Sequence, residues 1–181
     1  MSARDKMRKR LKLNRPSLRQ RARPPRHRTA SGARFSAANL PATLKLQHCT
    51  RCQHIQYPPT ELCSVCLADA LVYRDTDNGG TLLAQSHLHH SLWEYFKRRL
   101  RDGPWLVGSV QLDAGPLMIV HLGSPEMAPG DRVQVFSHSD ASQSSVLIAV
   151  PASVDVRTRE ARRAIALAMG LNTPAIRPTG A

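Results

Sequence analysis

The chain has 181 residues, 41% of them hydrophobic and only 4% aromatic, and its 26 Lys/Arg against 13 Asp/Glu give a net charge of +13. That length suits one or two small domains, and with no run of 18 or more apolar residues the composition excludes a membrane-spanning helix. The charge is uneven. Residues 1–35 hold 13 of the basic residues and one acid, Asp5, which leaves 13 basic against 12 acidic residues in everything that follows. The basic character belongs to a tail.

Residues 1–35 carry Pro16, Pro24 and Pro25 and little apolar content beyond Leu11, Leu13 and Leu18. Such a segment cannot bury enough surface to offset its ordering entropy. It is expected to be disordered, with a nascent helix over Asp5–Leu13. Its role stays open between phosphate contacts to nucleic acid, targeting, docking on an acidic partner, and a leader that does little. Phe35–Leu46 then reads as a short bridge, packed by Leu40, Leu44 and Leu46.

The next segment holds all four cysteines, as Cys49-Thr50-Arg51-Cys52 and Cys63-Ser64-Val65-Cys66. A thiolate pair at C-x-x-C spacing grips one ion from a tight turn, and two such knuckles complete the four-sulfur tetrahedron that Zn²⁺ prefers. Four protein ligands leave no open position, so the metal is expected to be structural. No signal-peptide pattern accompanies the cysteines, which points to reduced thiols and a cytoplasmic setting rather than disulfides. His48 and His54 flank the first knuckle. They are not needed as ligands, but a hydrogen bond to a sulfur is within their reach. Short strands are expected before Cys49, over Ile55-Gln56-Tyr57, and over Leu71–Arg74, with Pro58-Pro59 turning the chain between knuckles. Residues 36–76 thus form a zinc ribbon with a short lead-in, held largely by its metal.

Asp77-Asn78-Gly79-Gly80 is a loop by its turn chemistry. Strands follow over Thr81–His90, Trp105–Leu112, Leu117–Leu122, Arg132–Phe136 and Ser145–Val150, with the hairpin turn Asp113-Ala114-Gly115-Pro116, a second turn at Met127–Asp131 and a polar loop over Ser137–Ser144. A short helix over Leu92–Leu100 interrupts the first two strands. Five strands with one helical excursion fit a Greek-key barrel of the OB type over residues 77–151. Residues 152–181 hold a helix near 155–170, capped by Ser153 or Asp155, with Ala161, Ala164, Ile165, Ala168 and Met169 inward, Arg157, Arg159, Arg162 and Arg163 outward, and Gly170 as its stop. The fold class is mainly β: a rubredoxin-like zinc ribbon, then an OB-fold barrel, with a basic N-terminal tail and a C-terminal helix.

Outside the cysteines, reactive groups concentrate in Ser86-His87-Leu88-His89-His90. On a strand His87 and His89 share a face, where they can hold a metal, act as a base or meet a partner; as ordinary surface histidines they would do none of these. Trp93, Tyr95 and Phe96 read as core packing or as a seat for a partner or acyl chain. Lys97, Arg98, Arg99 and Arg101 read as a solvated face or as contacts for phosphates. Ser142, Ser144 and Ser145 have no base nearby. No nucleophile-elbow, Walker A or Rossmann glycine pattern occurs, so no catalytic residue is assigned.

Taken in order, Cys49-x-x-Cys52, Tyr57-Pro58-Pro59, Cys63-x-x-Cys66, Gly79-Gly80-Thr81, Val107–Leu112 and Pro129-Gly130-Asp131-Arg132-Val133 resemble the zinc-ribbon/OB-fold acyl-CoA-associated family, long grouped as a domain of unknown function. The resemblance covers roughly residues 44–150. It departs from the family at Gln53 and Leu67, where Gly often follows the second cysteine of a knuckle, and in that the usual N-terminal helices are hard to find in this tail. It implies a non-catalytic accessory subunit that binds a thiolase-like enzyme acting on acyl-CoA and helps shape the shared acyl-CoA site. His87, His89, Trp93, Phe96, Lys97, Arg98 and Arg99 are then candidates for the face toward partner or CoA. The alternative is a nucleic-acid-binding ribbon and barrel, which would require stacking aromatics in a positive groove. The barrel strands offer only Trp105 and Phe136.

Overall fold

A computed structural model describes residues 29–40, 43–90, 100, 103–139 and 145–171. Residues 1–28 of the expected 1–35 tail, most of the insert helix (Trp93, Tyr95, Phe96, Lys97, Arg98 and Arg99 among its residues), Arg101, Ser142 and Ser144, and the last ten residues lie outside this set.

The first described element is a helix, α1 (Ala30–Asn39), in the stretch read from sequence as the end of a tail and a bridge. Thr29 starts it: its hydroxyl accepts the Gly32 amide at 3.1 Å, satisfying one of the open N–H groups of a first turn. Phe35 anchors it. The ring is 7% exposed, with centroids 5.8 Å from Tyr57 and 6.3 Å from Tyr73. Asn39 ends the helix inside the protein, where its amide donates to the Phe35 and Lys45 carbonyls and its carbonyl accepts the Lys45 amide. Composition concealed this helix because one buried aromatic and one buried amide hold it, without an apolar stripe. Leu44 and Leu46 are buried as expected, whereas Leu40 is 40% exposed.

The ribbon sheet has three strands, β1 (Lys45–Cys49), β2 (Ile55–Gln56) and β3 (Leu71–Asp75), with β1 between the other two. Both pairings are antiparallel, with His48 opposite Ile55 on one side and Val72 on the other.

Five strands close the barrel: β4 (Gly79–Leu88), β5 (Trp105–Leu112), β6 (Leu117–Leu122), β7 (Arg132–Ser139) and β8 (Ser145–Pro151). Their order around it is β4-β5-β6-β8-β7. A short parallel pairing of β6 with β8, at His121–Ile148 and Leu122–Ala149, and an antiparallel one of β4 with β7 complete the ring. This is the order of an OB barrel, as the sequence pattern predicts. β7 runs on to Ser139, through residues expected to be loop. The Ser137 amide donates to the Thr43 carbonyl at 2.7 Å and its hydroxyl pairs with Ser145 at 2.6 Å, so polar residues there are held by neighbours rather than left to water.

Alternation along the strands separates two cores. Leu82, Val110, Leu112, Met118, Val120, Val133, Val135, Leu147 and Ala149 fill the barrel and meet Phe35, Leu44 and Leu46 from the ribbon side. Phe136, Ile148 and Val150 point outward, yet are buried beneath Val156, Ala166 and Leu171. The cover includes α2 (Arg159–Ala168). Its cap is Thr158, whose hydroxyl accepts the Ala161 amide at 3.1 Å, rather than Ser153 or Asp155. Asp155 instead accepts the Arg157 amide. The inward face is also rotated from the expected one. Ala166 is fully buried, while Ala164 and Ala168 are exposed. Arg162 turns inward and donates to the Val156 and Arg157 carbonyls and to the Thr43 hydroxyl. Alanines contribute too little apolar area to define a face by periodicity. Gly170 closes the helix as expected: at φ 71° it lets the Leu171 amide reach back to the Ala166 carbonyl at 2.8 Å, a Schellman stop.

Candidate metal centre and the ribbon–barrel junction

The two knuckles are built alike. The amide four residues after each first cysteine returns to that cysteine's carbonyl, Gln53 to Cys49 at 2.9 Å and Leu67 to Cys63 at 3.0 Å. The first cysteine's own amide donates one residue further on, Cys49 to the His54 carbonyl and Cys63 to the Ala68 carbonyl. This double closure forces the residue after each second cysteine into the left-handed region, with φ 60° at Gln53 and 56° at Leu67. These are the two positions where the resemblance leads one to expect Gly. The departure seen in the sequence is thus a departure from the residue that adopts this backbone without strain.

All four cysteines are free thiols, with ligand atoms within 4.8 Å of one another. Cys49 Sγ lies 3.5 Å from Cys66 Sγ, and Cys52 Sγ lies 3.6 Å from Cys63 Sγ. A disulfide needs about 2.05 Å, whereas four sulfurs at 2.3 Å from one ion stand about 3.8 Å apart. The electrostatics also fit a cation. The Cys66 and Val65 amides pull Cys63 down to about 6, and the Cys52 amide lowers Cys49. At Cys52 the His54 amide favours the thiolate, but burial and the three other sulfurs prevail and push it up to about 12. Four thiolates at this spacing repel one another unless a positive ion lies between them. The donor set therefore fits a structural Zn²⁺, with its second cysteine, Cys52, toward the surface.

Two buried glutamines hold the knuckles in relative position, and nothing in the sequence singled them out. Gln47 Oε1 accepts from Gln56 Nε2 at 3.1 Å and from the Thr60 amide at 2.9 Å. Gln56 Oε1 accepts the Ser64 amide at 2.9 Å, inside the second knuckle. Each reads in sequence as one polar residue of a short strand. Of the two flanking histidines, His54 meets sulfur through its backbone amide, which favours the Cys52 thiolate, and not through its ring. His48 Nε2 lies 3.0 Å from the Thr76 hydroxyl, and burial followed by the Arg74 charge lowers its pKa. His54 contributes its carbonyl to Cys49.

Residues 43–72 match the family model described as the ChsH2 rubredoxin-like zinc ribbon domain. The match covers the ribbon and stops short of the barrel. A chain of the solved Ltp2-ChsH2(DUF35) aldolase is similar in fold to the ribbon and barrel together: it is 20% identical, with a TM-score of 0.57, over 71% of this chain and 98% of that one. No curated protein matches. The resemblance drawn from the motif order therefore holds for both modules, the ribbon by its family and the barrel by its fold.

The glycine and arginine positions quoted from the barrel sequence have structural reasons of their own. A Cβ on Gly80 would stand 2.5 Å from the Gln111 carbonyl oxygen, and one on Gly108 would stand 2.8 Å from Leu82. Only glycine lets β4 and β5 approach so closely. Arg132 forks onto Asp113, at 2.9 and 2.5 Å, and also reaches the Thr81 hydroxyl. The guanidinium holds the Asp113 carboxyl below its usual range, mainly through these hydrogen bonds. An open groove of about 390 Å³ runs between the first knuckle and the β5–β6 turn, lined by Gln53, His54, Tyr57 and Ser64 on one side and Ala114 and Pro116 on the other. Among the described residues no Lys or Arg lines it.

His87 and His89 are exposed at the far end of β4, with ring centroids 5.9 Å apart. Trp93, Phe96, Lys97, Arg98 and Arg99 lie outside the described residues. The two aromatic residues named for the barrel strands do not form a stacking platform: Phe136 is 0% exposed, and Trp105 donates its indole N–H to His121 Nδ1 at 2.7 Å and packs against the outer core. Among the described residues no helix is long and apolar enough to cross a membrane.

Proposed function

We propose that this protein is a non-catalytic accessory subunit that binds a thiolase-fold enzyme and helps shape its acyl-CoA site, in the cytoplasm. One observation carries the reading: the fold likeness spans 98% of a chain from an assembly titled an Ltp2-ChsH2(DUF35) aldolase. The chemistry of this chain agrees with a supporting role. Its thiols fit a closed metal shell, and the motif residues outside the ribbon serve packing and turns. The neutral groove at the junction suits the uncharged arm of an acyl-CoA. Phosphates would need basic groups elsewhere, for which this reading names Lys97, Arg98 and Arg99, with His87, His89, Trp93 and Phe96 as further candidates for contact with partner or CoA. The ribbon (36–76), barrel (77–151) and C-terminal helix (within 152–181) act as one docking body, extended at its front by α1.

Co-expression with thiolase-like enzymes encoded beside it tests the reading. The expected outcome is a heteromeric complex that survives gel filtration, with carbon–carbon bond-forming or bond-breaking activity on acyl-CoA lost when this subunit is left out. A chain that elutes alone in every pairing would refute it.

A further inference from the structure

We infer that His87 and His89 form a second metal site, separate from the ribbon, for a late first-row divalent cation such as Ni²⁺, Cu²⁺ or Zn²⁺. The inference rests on side-chain geometry alone and does not depend on the accessory role. β4 pairs with β7 only through residues 79–81, but with β5 as far as Leu88 opposite Trp105. Its last residues therefore form a two-stranded arm that extends past the closed ring. On such an arm, residues two apart stand on one face. His87 is paired opposite Leu106, and His89 follows directly after the strand.

Both side chains are exposed, with ring centroids 5.9 Å apart and planes 32° from parallel. Two imidazoles bound at about 2.1 Å to one tetrahedral ion place their centroids about 5.3 Å apart. Closing that difference takes a few tenths of an ångström from each ring, by rotation of two exposed side chains. Exposure gives the ion free entry, and water can complete its coordination. Nitrogen donors select late transition metals and not Mg²⁺ or Ca²⁺, which prefer oxygen. A pair of surface histidines further apart, or on opposite faces, could not chelate one ion.

The test is calorimetric titration of the untagged, full-length, zinc-loaded protein with NiCl₂ and separately with MgCl₂, while ribbon zinc is assayed before and after. One saturable Ni²⁺ site with no Mg²⁺ binding is expected. His87→Gln and His89→Gln should each weaken Ni²⁺ binding at least tenfold, and His90→Gln by less than twofold, with ribbon zinc retained in all. The proposal is overturned if no saturable Ni²⁺ site is found, if both variants bind as the parent does, or if the heat tracks loss of ribbon zinc.

Discussion

Leu67 combines two unfavourable features, a left-handed backbone at φ 56° and a side chain 72% exposed. A left-handed L-residue costs about 1–2 kcal/mol, and a side chain so exposed returns little packing energy. Glycine removes that strain but adds about 0.5–1 kcal/mol of chain entropy to be lost on folding. Leu67→Gly is therefore expected to stabilise the protein by about 0.5 kcal/mol, read as a rise of about 1–2 °C in Tm. Leu67→Ala, which keeps the strain, should give no rise. Cys63 makes the opposite case. It is fully buried and its thiolate is favoured by two amides, so Cys63→Ser removes a ligand and leaves three sulfurs without their fourth. Metal analysis is expected to show zinc lost from that variant, together with loss of soluble protein; unchanged zinc content would refute the ligand assignment.

At the scale of the element, α1 is the piece whose role was least visible. It has no apolar stripe, and it is attached by Phe35 between two tyrosines and by Asn39 beneath β1. Its Ser36 hydroxyl also accepts the Ser145 amide of β8 at 3.2 Å, which ties it to the barrel. Truncating a buried Phe costs about 3–5 kcal/mol. Phe35→Ala is accordingly expected to destabilise by about 3 kcal/mol in denaturant unfolding while the zinc stoichiometry is kept, because no cysteine touches that ring in the core that surrounds it. α2 shows the same limit. Its position was legible from Gly170 and the apolar spacing, but its inward face was not, because Arg162 donates to three oxygens that come together only after β8 has turned back over the barrel.

For the whole molecule, the excess charge is the property to test. Residues 1–28 hold 12 of the 26 Lys/Arg and one acid, so most of the +13 lies ahead of α1. A fully buried Phe136 and a Trp105 engaged by His121 leave the described barrel strands without a Trp, Tyr or Phe platform for single-stranded bases. Any oligonucleotide binding by the full chain should fall steeply with salt and disappear when residues 1–28 are deleted. Strong salt-dependent binding by the deleted chain, measured by fluorescence anisotropy, would instead support a nucleic-acid role for the ribbon and barrel.

The cysteine spacing, the turn residues and the strand alternation were enough to determine the ribbon, the five barrel strands and their family likeness, because metal ligation, turn chemistry and pleating are local rules that act within a few residues. β5 and β6 were bounded to the residue by Gly-Pro and Asp-Ala-Gly-Pro. Only the tertiary structure decided the rest. Gln47 and Gln56 became the braces of the knuckles, Arg162 turned inward, β7 and β8 were buried on both faces, and His87 and His89 came to stand 5.9 Å apart on a free arm. Each of these depends on partners distant in the chain, so no window of sequence carries it.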